Sequence, residues 1–212
     1  MPQRPRRGPG RPPAADGAET RERIVATARG VFTDFGYRAA TFQEIAERAD
    51  LTRSAINHYF PSKKVLFREV VAATTTMFMA TGGERAMAEP TLLAKVASFL
   101  DFALELHARE PAIPGFMVLT MMSARRTPDL LTAESDLLEL FRWFVTQAVT
   151  DAVSSGELPA GTDIAEAVEP LVMVFCGMTF YGGFVAGHRQ LEIVTAQLKA
   201  WFTALWGGTR SG

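Results

Sequence analysis

From Glu19 onward, apolar residues recur at steps of three and four positions, which is the spacing of one face of an α-helix. Gly36 follows this stretch, and glycine is typical of a helix end. The pattern therefore predicts a first helix that ends at Gly36. Its apolar positions are Ile24, Ala28, Val31, Phe32 and Phe35.

Two shorter helices are predicted next, joined by a tight turn. Thr41 offers an N-cap with Glu44 three residues later, which is the arrangement of a capping box. Thr52 is a second N-cap a few residues on, so the turn falls at Asp50 and Leu51. One long helix and two short ones make a three-helix unit whose last helix can project from the surface.

The rest of the chain is also predicted to be helical, with few alternating strand patterns. Glycine and proline separate the helices, for example at Gly82-Gly83 and Pro90. The fold class is therefore all-α. The predicted later helices are 62–81, 91–109, 113–124, 134–154, 163–187 and 190–206.

The charge is divided unevenly along the chain, although the net charge is only −1. Residues 1 to 70 hold 13 Lys/Arg and 8 Asp/Glu, whereas the remainder holds 9 and 15. Residues 1–17 are rich in Pro, Gly and Arg, a composition that predicts a disordered basic arm. A basic N-terminal third suggests a polyanionic partner, and an ordinary solvated surface is the alternative.

The second short helix has the side chains expected of a helix that enters the DNA major groove. Ala55 and Ile56 alternate with its polar residues and are expected to face inward. The polar donors are Thr52, Arg53, Ser54, Asn57, His58 and Tyr59.

The stretch from Thr41 to Lys63 resembles the helix-turn-helix of the tetracycline-repressor (TetR) family almost position by position, and Ile24 to Tyr37 resembles its first helix. The resemblance covers about 50 residues, a quarter of the chain. It implies a DNA-binding domain over residues 18–65 and a helical ligand-binding and dimerisation domain over 66–212. It also implies a ligand-responsive repressor that binds a palindromic operator as a homodimer.

The resemblance implies a role for each matching position. Thr41 and Lys63 are expected to contact phosphates, with Thr52 and Tyr59 near the DNA backbone. Packing under the fourth helix is the alternative for Tyr59. The candidates for base reading are Arg53, Ser54, Asn57 and His58.

Two positions depart from the family pattern. Asp50 stands where the family usually has Gly, and aspartate tolerates a left-handed backbone better than most residues, so we expect the turn to be preserved. Asn57 stands where a Tyr is frequent, which puts any operator borrowed from a relative in doubt.

The N-terminal arm contains Pro9-Gly10-Arg11-Pro12, which resembles an AT-hook that lays Arg11 into the minor groove. Plain electrostatic attraction to phosphates and a solubilising tail are the alternatives.

The later helices hold an excess of Phe and Met, and such side chains line adaptable apolar pockets as well as cores. Because charged groups are scarce there, the composition favours an apolar effector such as a fatty acid, acyl thioester or lipophilic drug. Core packing is the alternative for each residue. The candidates for ligand binding are Phe102, Phe116, Met117, Met121, Phe144, Met173, Cys176 and Phe180.

Helices 163–187 and 190–206 are expected to form a four-helix dimer interface with their counterparts in a second copy. The first would use the face that carries Val168, Leu171 and Phe175, and the second the face that carries Leu198 and Trp201. The alternative is that these faces pack within their own domain.

Several classes of protein are disfavoured. The chain has no Gly-rich phosphate loop and no His/Glu metal pair at ligand spacing, so we expect neither an enzyme nor a cofactor. A single Cys176 excludes an internal disulfide, and no run of 18 apolar residues indicates a membrane span. We therefore expect a cytoplasmic protein. A DNA-binding regulator controlled by protein partners is the alternative function.

Overall fold

The structure is a computed structural model that describes residues 13–126, 130 and 136–207, with side chains over 17–123, 130 and 136–204. The described residues form helices and no strands, which confirms the predicted all-α fold. The elements are α1 (Pro13–Ala39), α2 (Phe42–Arg48), α3 (Arg53–Tyr59), α4 (Lys63–Thr76), a π-helical turn (Met77–Gly83), α5 (Glu84–Met87), α6 (Leu92–Arg109), α7 (Ala112–Arg126), α8 (Leu137–Ser154), α9 (Ile164–Phe184) and α10 (His188–Gly207).

The first helix begins earlier than predicted. Pro13 opens α1, so the prediction of a disordered arm over residues 1–17 is wrong for its last five residues. Proline is well suited to the first position of a helix, and the two alanines that follow are strong helix formers. Residues 1–12, which include Arg11, lie outside the described residues. Gly36 has φ of 72°, which a glycine adopts without strain, and it kinks α1 where the sequence predicted its end.

The helices from α6 to α10 agree with their predicted ranges to within three residues at each end. Side chains cap three of them. The Thr91 hydroxyl accepts a hydrogen bond from the Ala94 N–H, and the carboxylates of Asp136 and Asp163 accept from amides in the first turns of α8 and α9.

A helix break was predicted at Gly82-Gly83, and this prediction is wrong. Helical structure runs without interruption from Lys63 to Met87, through the π-helical turn. A Cβ atom placed on Gly82 would lie 2.3 Å from the Phe102 ring. Glycine therefore serves here to let an aromatic ring of α6 approach the backbone, not to end the helix.

Two hydrophobic cores hold the chain together. We call α1–α4 the head and α6–α10 the body. The head core is formed mainly by the first four helices, with Phe116 added from α7. The largest of its fully buried side chains are Phe32, Phe60, Phe116, Ile24, Ile45, Ile56 and Leu66. The body core is rich in phenylalanine and includes Phe78, Phe99, Phe102, Phe141, Phe144 and Phe175.

Candidate functional site

The helix-turn-helix is built as its sequence predicts. Thr41 and Thr52 cap α2 and α3, each hydroxyl accepting a hydrogen bond at 3.1 Å from the amide three residues later. Asp50 has φ of 53°, which confirms the expected left-handed turn. The Leu51 N–H donates to the Ala46 carbonyl over 2.9 Å and closes the end of α2.

One face of α3 is fixed in the head core and the other faces solvent. Ile56 is fully buried and anchors the helix, while Ala55 is half-buried. The four residues predicted to read bases all lie on exposed positions of the helix: Arg53, Ser54, Asn57 and His58. A short helix held by its inner face and presenting polar side chains outward can enter a major groove.

The other residues predicted to contact DNA differ in how far they are exposed to solvent. Thr41 and Thr52 are exposed at the N-termini of their helices, and the Thr52 hydroxyl lies 2.8 Å from that of Ser54. Tyr59 is half-buried, its hydroxyl lies close to Gly17 at the start of α1, and its ring contacts His58. Tyr59 therefore packs at least partly within the head, in the core that α4 also helps to form, with its hydroxyl near the start of α1.

Lys63 has a structural role that the sequence did not predict. Its ammonium donates hydrogen bonds to the carbonyls of Arg38 and Ala40, at 2.9 and 2.8 Å, and lies over the Tyr37 ring. Burial lowers the pKa of Lys63 below its usual value. These contacts tie the start of α4 to the end of α1 and do not favour the predicted phosphate contact. The neighbouring Lys64 is exposed.

A cavity of about 70 Å³ lies in the body, between α6, α7, α8 and α9. His107 and Thr179 are the polar residues of an otherwise apolar wall. Residues of α7 on this wall, Ile113 and Met117, lie close to the point where the body meets the head. The remaining wall residues include Phe99, Ala103, Leu106, Phe141, Val145, Leu171, Phe175 and Met178.

Two of the eight residues predicted to bind ligand, Met117 and Phe144, line this cavity. Phe102 is buried against Phe78 in the body core without lining it, and Met121 is partly buried there. Phe116 points the other way and packs with Phe32 and Phe67 of the head, with ring centroids 6.5 and 5.7 Å apart. A composition rich in Phe and Met identified the region but could not determine which way each ring points.

The three ligand candidates on α9 lie away from the cavity. Met173 and Phe180 are 69% and 52% exposed, so they face solvent in the single chain. Cys176 is half-buried against the body core, and burial raises the pKa of its thiol above its usual value, which favours the protonated form. Helical periodicity explains their position, because these residues alternate with the inward-facing Val172 and Phe175.

His107 is a site residue that the sequence analysis missed. It is only 6% exposed and lines the cavity. The available signal was its position, since His107 lies four residues after Ala103 and eight after Phe99, on the same helical face.

Polar contacts connect the head to the body beside this cavity. The buried Arg29 of α1 donates to the Thr74 hydroxyl of α4 over 3.1 Å and forms an ion pair with Glu110, between α6 and α7. Burial lowers the pKa of Arg29, but a guanidinium stays charged at neutral pH. The Thr33 hydroxyl lies 3.3 Å from the Ala112 carbonyl. The α6–α7 connection is thus joined to the first helix of the head.

The face of α9 that was expected to form a dimer interface is buried inside the chain. Its residues contact α7 and α8, which is the alternative stated for this face. Gly183 allows α9 to approach the α7 backbone closely within the chain, since a Cβ on Gly183 would lie 2.7 Å from the Gly115 nitrogen. The buried residues of this face are Val168, Leu171, Val172, Phe175 and Thr179.

The opposite side of α9 carries an exposed apolar stripe. Met173, Phe180 and Phe184 are each more than half exposed, and they recur at the spacing of one helical face. On α10, Ile193 and Trp201 are 50% and 62% exposed. Large exposed apolar surfaces of this kind mark interaction sites. We call these five residues the apolar stripe.

By length and composition α9 could also cross a membrane, although 28% of its most apolar window is buried inside the chain. A core helix of a soluble protein can have the same length and apolar composition. The helix is long and apolar because one face belongs to the body core and the other carries the apolar stripe.

The fold and these sites define a helix-turn-helix protein with a separate helical body that contains an apolar cavity. Residues 24–70 match the tetR family of bacterial regulatory proteins. The chain is 25% identical to the transcriptional regulator SrpR of Pseudomonas putida, over 91% of this chain and 88% of SrpR.

Two solved structures share the fold. A TetR transcriptional regulator of Chloroflexus aurantiacus superimposes with a TM-score of 0.71 at 21% identity, over 89% of this chain and 96% of that one. FadR of Bacillus subtilis, solved with stearoyl-CoA, gives a TM-score of 0.65 at 17% identity, over 84% and 96%. These similarities support a TetR-family transcriptional regulator, with the family match itself confined to residues 24–70.

Proposed function

We propose that this regulator is a repressor that binds a palindromic operator as a homodimer in the cytoplasm and releases it when an apolar effector enters the body. The observation that supports it most is the position of the cavity. Its α7 wall begins at Ile113, three residues after Glu110, which forms the ion pair with Arg29 of the head. A change in the cavity can thereby reach the helix-turn-helix through residues that touch one another.

For DNA binding, we assign base reading to the exposed residues of α3, with Asn57 near the centre of the helix. Thr41 and Thr52 would contact phosphates from the N-termini of α2 and α3, where amide groups favour an anion. We extend the DNA-binding domain over residues 18–65 and assign the dimer and the effector to residues 66–212.

The apolar stripe is the surface we assign to the dimer. Two stripes from two copies would bury Phe180 and Trp201, which are otherwise exposed to water, in a four-helix interface. A dimer is needed because two recognition helices about 34 Å apart match the two half-sites of a palindrome.

Release requires an effector that binds a different conformation of the body more tightly than the DNA-bound one. The cavity of about 70 Å³ is below the size that holds a drug-sized ligand, roughly 300–1,000 Å³. An effector must therefore push its walls apart. Movement of α7 and of the α6–α7 connection would then rotate or separate the two heads.

The small cavity also supports the second candidate, a DNA-binding regulator controlled by protein partners. The two functions differ in one respect, since only the first requires a small molecule to change DNA affinity. The choice between them therefore depends on binding measurements with small molecules.

The test is footprinting and fluorescence anisotropy on DNA from the protein's own upstream region, with a panel of fatty acids, acyl thioesters and lipophilic drugs. We expect a protected palindrome, salt-dependent affinity, and release by one class of compound. Replacement of Asn57 with alanine should lower operator affinity about tenfold and leave binding to random DNA unchanged. Binding no tighter than to random DNA contradicts the repressor function, and specific binding that no compound relieves favours the second candidate.

A further inference from the structure

A second cavity lies in the body near the starts of α6 and α9, whereas Arg29 of the head pairs with Glu110 at the opposite end of α6. Its volume of about 350 Å³ is within the range that holds a drug-sized ligand, roughly 300–1,000 Å³. We call it the distal cavity, and the cavity of about 70 Å³ the proximal cavity. The described residues that line the distal cavity are Leu92, Val149, Leu158, Thr162, Ala167, Pro170, Leu171, Val174 and Phe202.

The two cavities lie end to end between the same helices. Leu171 and Val174 of α9 line both of them, and α6 and α8 contribute residues to both linings. The α9 residues of the two linings have the spacing of one helical face, so a single apolar face of α9 runs along both cavities. Residues on this face include Ala167, Pro170, Leu171, Val174 and Met178.

The combined space suits a long and narrow ligand. Ala167 and Thr179 are the outermost α9 residues of the two linings, and they are twelve positions apart in the helix. This separation corresponds to about 18 Å along the helix axis. Leu171 is buried and Val174 is half-buried, so their side chains narrow the passage between the cavities. An unbranched chain displaces these side chains less than a ring system does.

The distal cavity opens to water beside the connection between α8 and α9. Pro170 on its wall is exposed, and Thr162 of the connection is half-buried. Thr162 is the one polar residue among the described residues of this lining, and none of them is charged. A polar head group can therefore stay in water at this mouth while an apolar chain enters the cavity.

The two cavities differ in their contact with α7, the helix that joins the head. Ile113 and Met117 of α7 line the proximal cavity, whereas none of the described distal lining residues belongs to α7. Between them in sequence, Phe116 packs in the head core. A ligand confined to the distal cavity thus leaves α7 in place, and a ligand that extends past Leu171 pushes against it.

We propose that the distal cavity binds the apolar chain of the effector, and that only a chain long enough to pass Leu171 and Val174 into the proximal cavity releases DNA. The effector is then a long, unbranched amphiphile whose polar end stays at the mouth. A shorter amphiphile occupies the distal cavity without release and competes with the longer one. This inference rests on the proposed effector-responsive function and specifies its ligand class and its trigger.

The test compares octanoate with tetradecanoate by calorimetric titration of the full chain and by anisotropy of labelled operator DNA. We expect tetradecanoate to bind at least about tenfold more tightly, because each buried methylene contributes up to about fourfold in affinity. Tetradecanoate should release the operator, and saturating octanoate should not. Octanoate at about ten times its Kd should raise the tetradecanoate concentration needed for release about tenfold, since the two acids share the distal cavity.

Two variants separate binding from release. Ala167→Phe fills the distal cavity and should weaken the binding of both acids at least about tenfold, while helical circular dichroism shows that the variant is folded. Ala160→Phe is the matched control, because it makes the same change at an exposed position of the α8–α9 connection, and it should leave both affinities unchanged. Val174→Phe blocks the passage, so it should bind octanoate as the wild-type chain does and should not release DNA with tetradecanoate.

Equal octanoate affinities for the wild-type chain and Ala167→Phe would overturn the distal site, and so would a wild-type chain that binds neither acid. Release of DNA from Val174→Phe by tetradecanoate would overturn the length-dependent trigger. If octanoate releases DNA as well as tetradecanoate does, the effector-responsive function stands and this inference fails. If both acids bind as predicted but neither releases DNA, the distal site stands and the proposed release fails.

Discussion

Replacing Glu110 with glutamine tests the connection between head and body. The change leaves the Arg29 guanidinium, whose side chain is 4% exposed, without its carboxylate. Breaking a fully buried ion pair costs about 3–5 kcal/mol. The cost here should be lower, about 2 kcal/mol, because the Glu110 side chain is 36% exposed and water can replace part of the interaction.

Thermal unfolding at fixed protein concentration measures this effect. For a chain of this size, about 2 kcal/mol corresponds to a decrease in Tm of roughly 4–8 °C. Glu105→Gln, on the adjoining helix α6, is the matched control, since Glu105 pairs with Arg85 at 3.0 Å and both side chains are nearly half exposed. Its loss should lower the free energy of unfolding by less than about 0.5 kcal/mol. Equal Tm values for the two variants would refute the assignment of Arg29 and Glu110 as a tie between head and body.

Three further substitutions test other parts of the account. Asp50→Val should destabilise the chain by about 1–2 kcal/mol, because a β-branched residue tolerates the left-handed turn poorly; chemical denaturation measures this, and an unchanged midpoint would contradict it. Gly183→Ala should destabilise the chain by about 1–3 kcal/mol, because the added Cβ would meet the Gly115 backbone. Gly161→Ala is the control and should be neutral, because its Cβ would enter open space, so equal stability of the two variants would contradict the close contact. Phe180→Asp should be a monomer in sedimentation and should lose operator binding. Val65→Asp, at an exposed position of α4, is the control and should stay dimeric. A dimeric Phe180→Asp variant would show that the apolar stripe is not the interface.

The local structure of the head could be predicted closely from the sequence. Thr41 and Thr52 are capping residues whose hydrogen bonds lie within three residues, and Asp50 occupies a turn set by its own backbone. Such features depend on neighbours in the chain. The resemblance to the family extends over the same residues, so local chemistry and family pattern agree there.

Side-chain directions in the body could not be predicted to the same degree. Phe116 and Met117 are adjacent in sequence, yet the first joins the head core and the second lines the cavity. Gly82 looked like a helix end because its close contact with Phe102 depends on a distant helix. These features are set by packing between elements, and the apolar pattern alone does not determine which faces meet.

The same limit explains Lys63 and His107. A lysine that follows a recognition helix is of a residue type that often contacts phosphate. The ammonium of Lys63, however, donates hydrogen bonds to two carbonyls at the end of α1. A histidine near a helix end is of a residue type that often lies in solvent. His107, however, is held at the cavity wall by contacts with the Gly182 carbonyl and His188. In both cases the decisive partner is far away in the sequence.

The measurement that tests the central claim most directly is the affinity of a fluorescent fatty acid for the free protein and for the protein saturated with operator DNA. Coupling between two sites is reciprocal, so an effector that lowers DNA affinity must bind the DNA complex more weakly by the same factor. We expect a decrease of at least about fivefold, the lower end of typical allosteric coupling. Equal affinities for free and DNA-bound protein would contradict the claim that the cavity controls the helix-turn-helix.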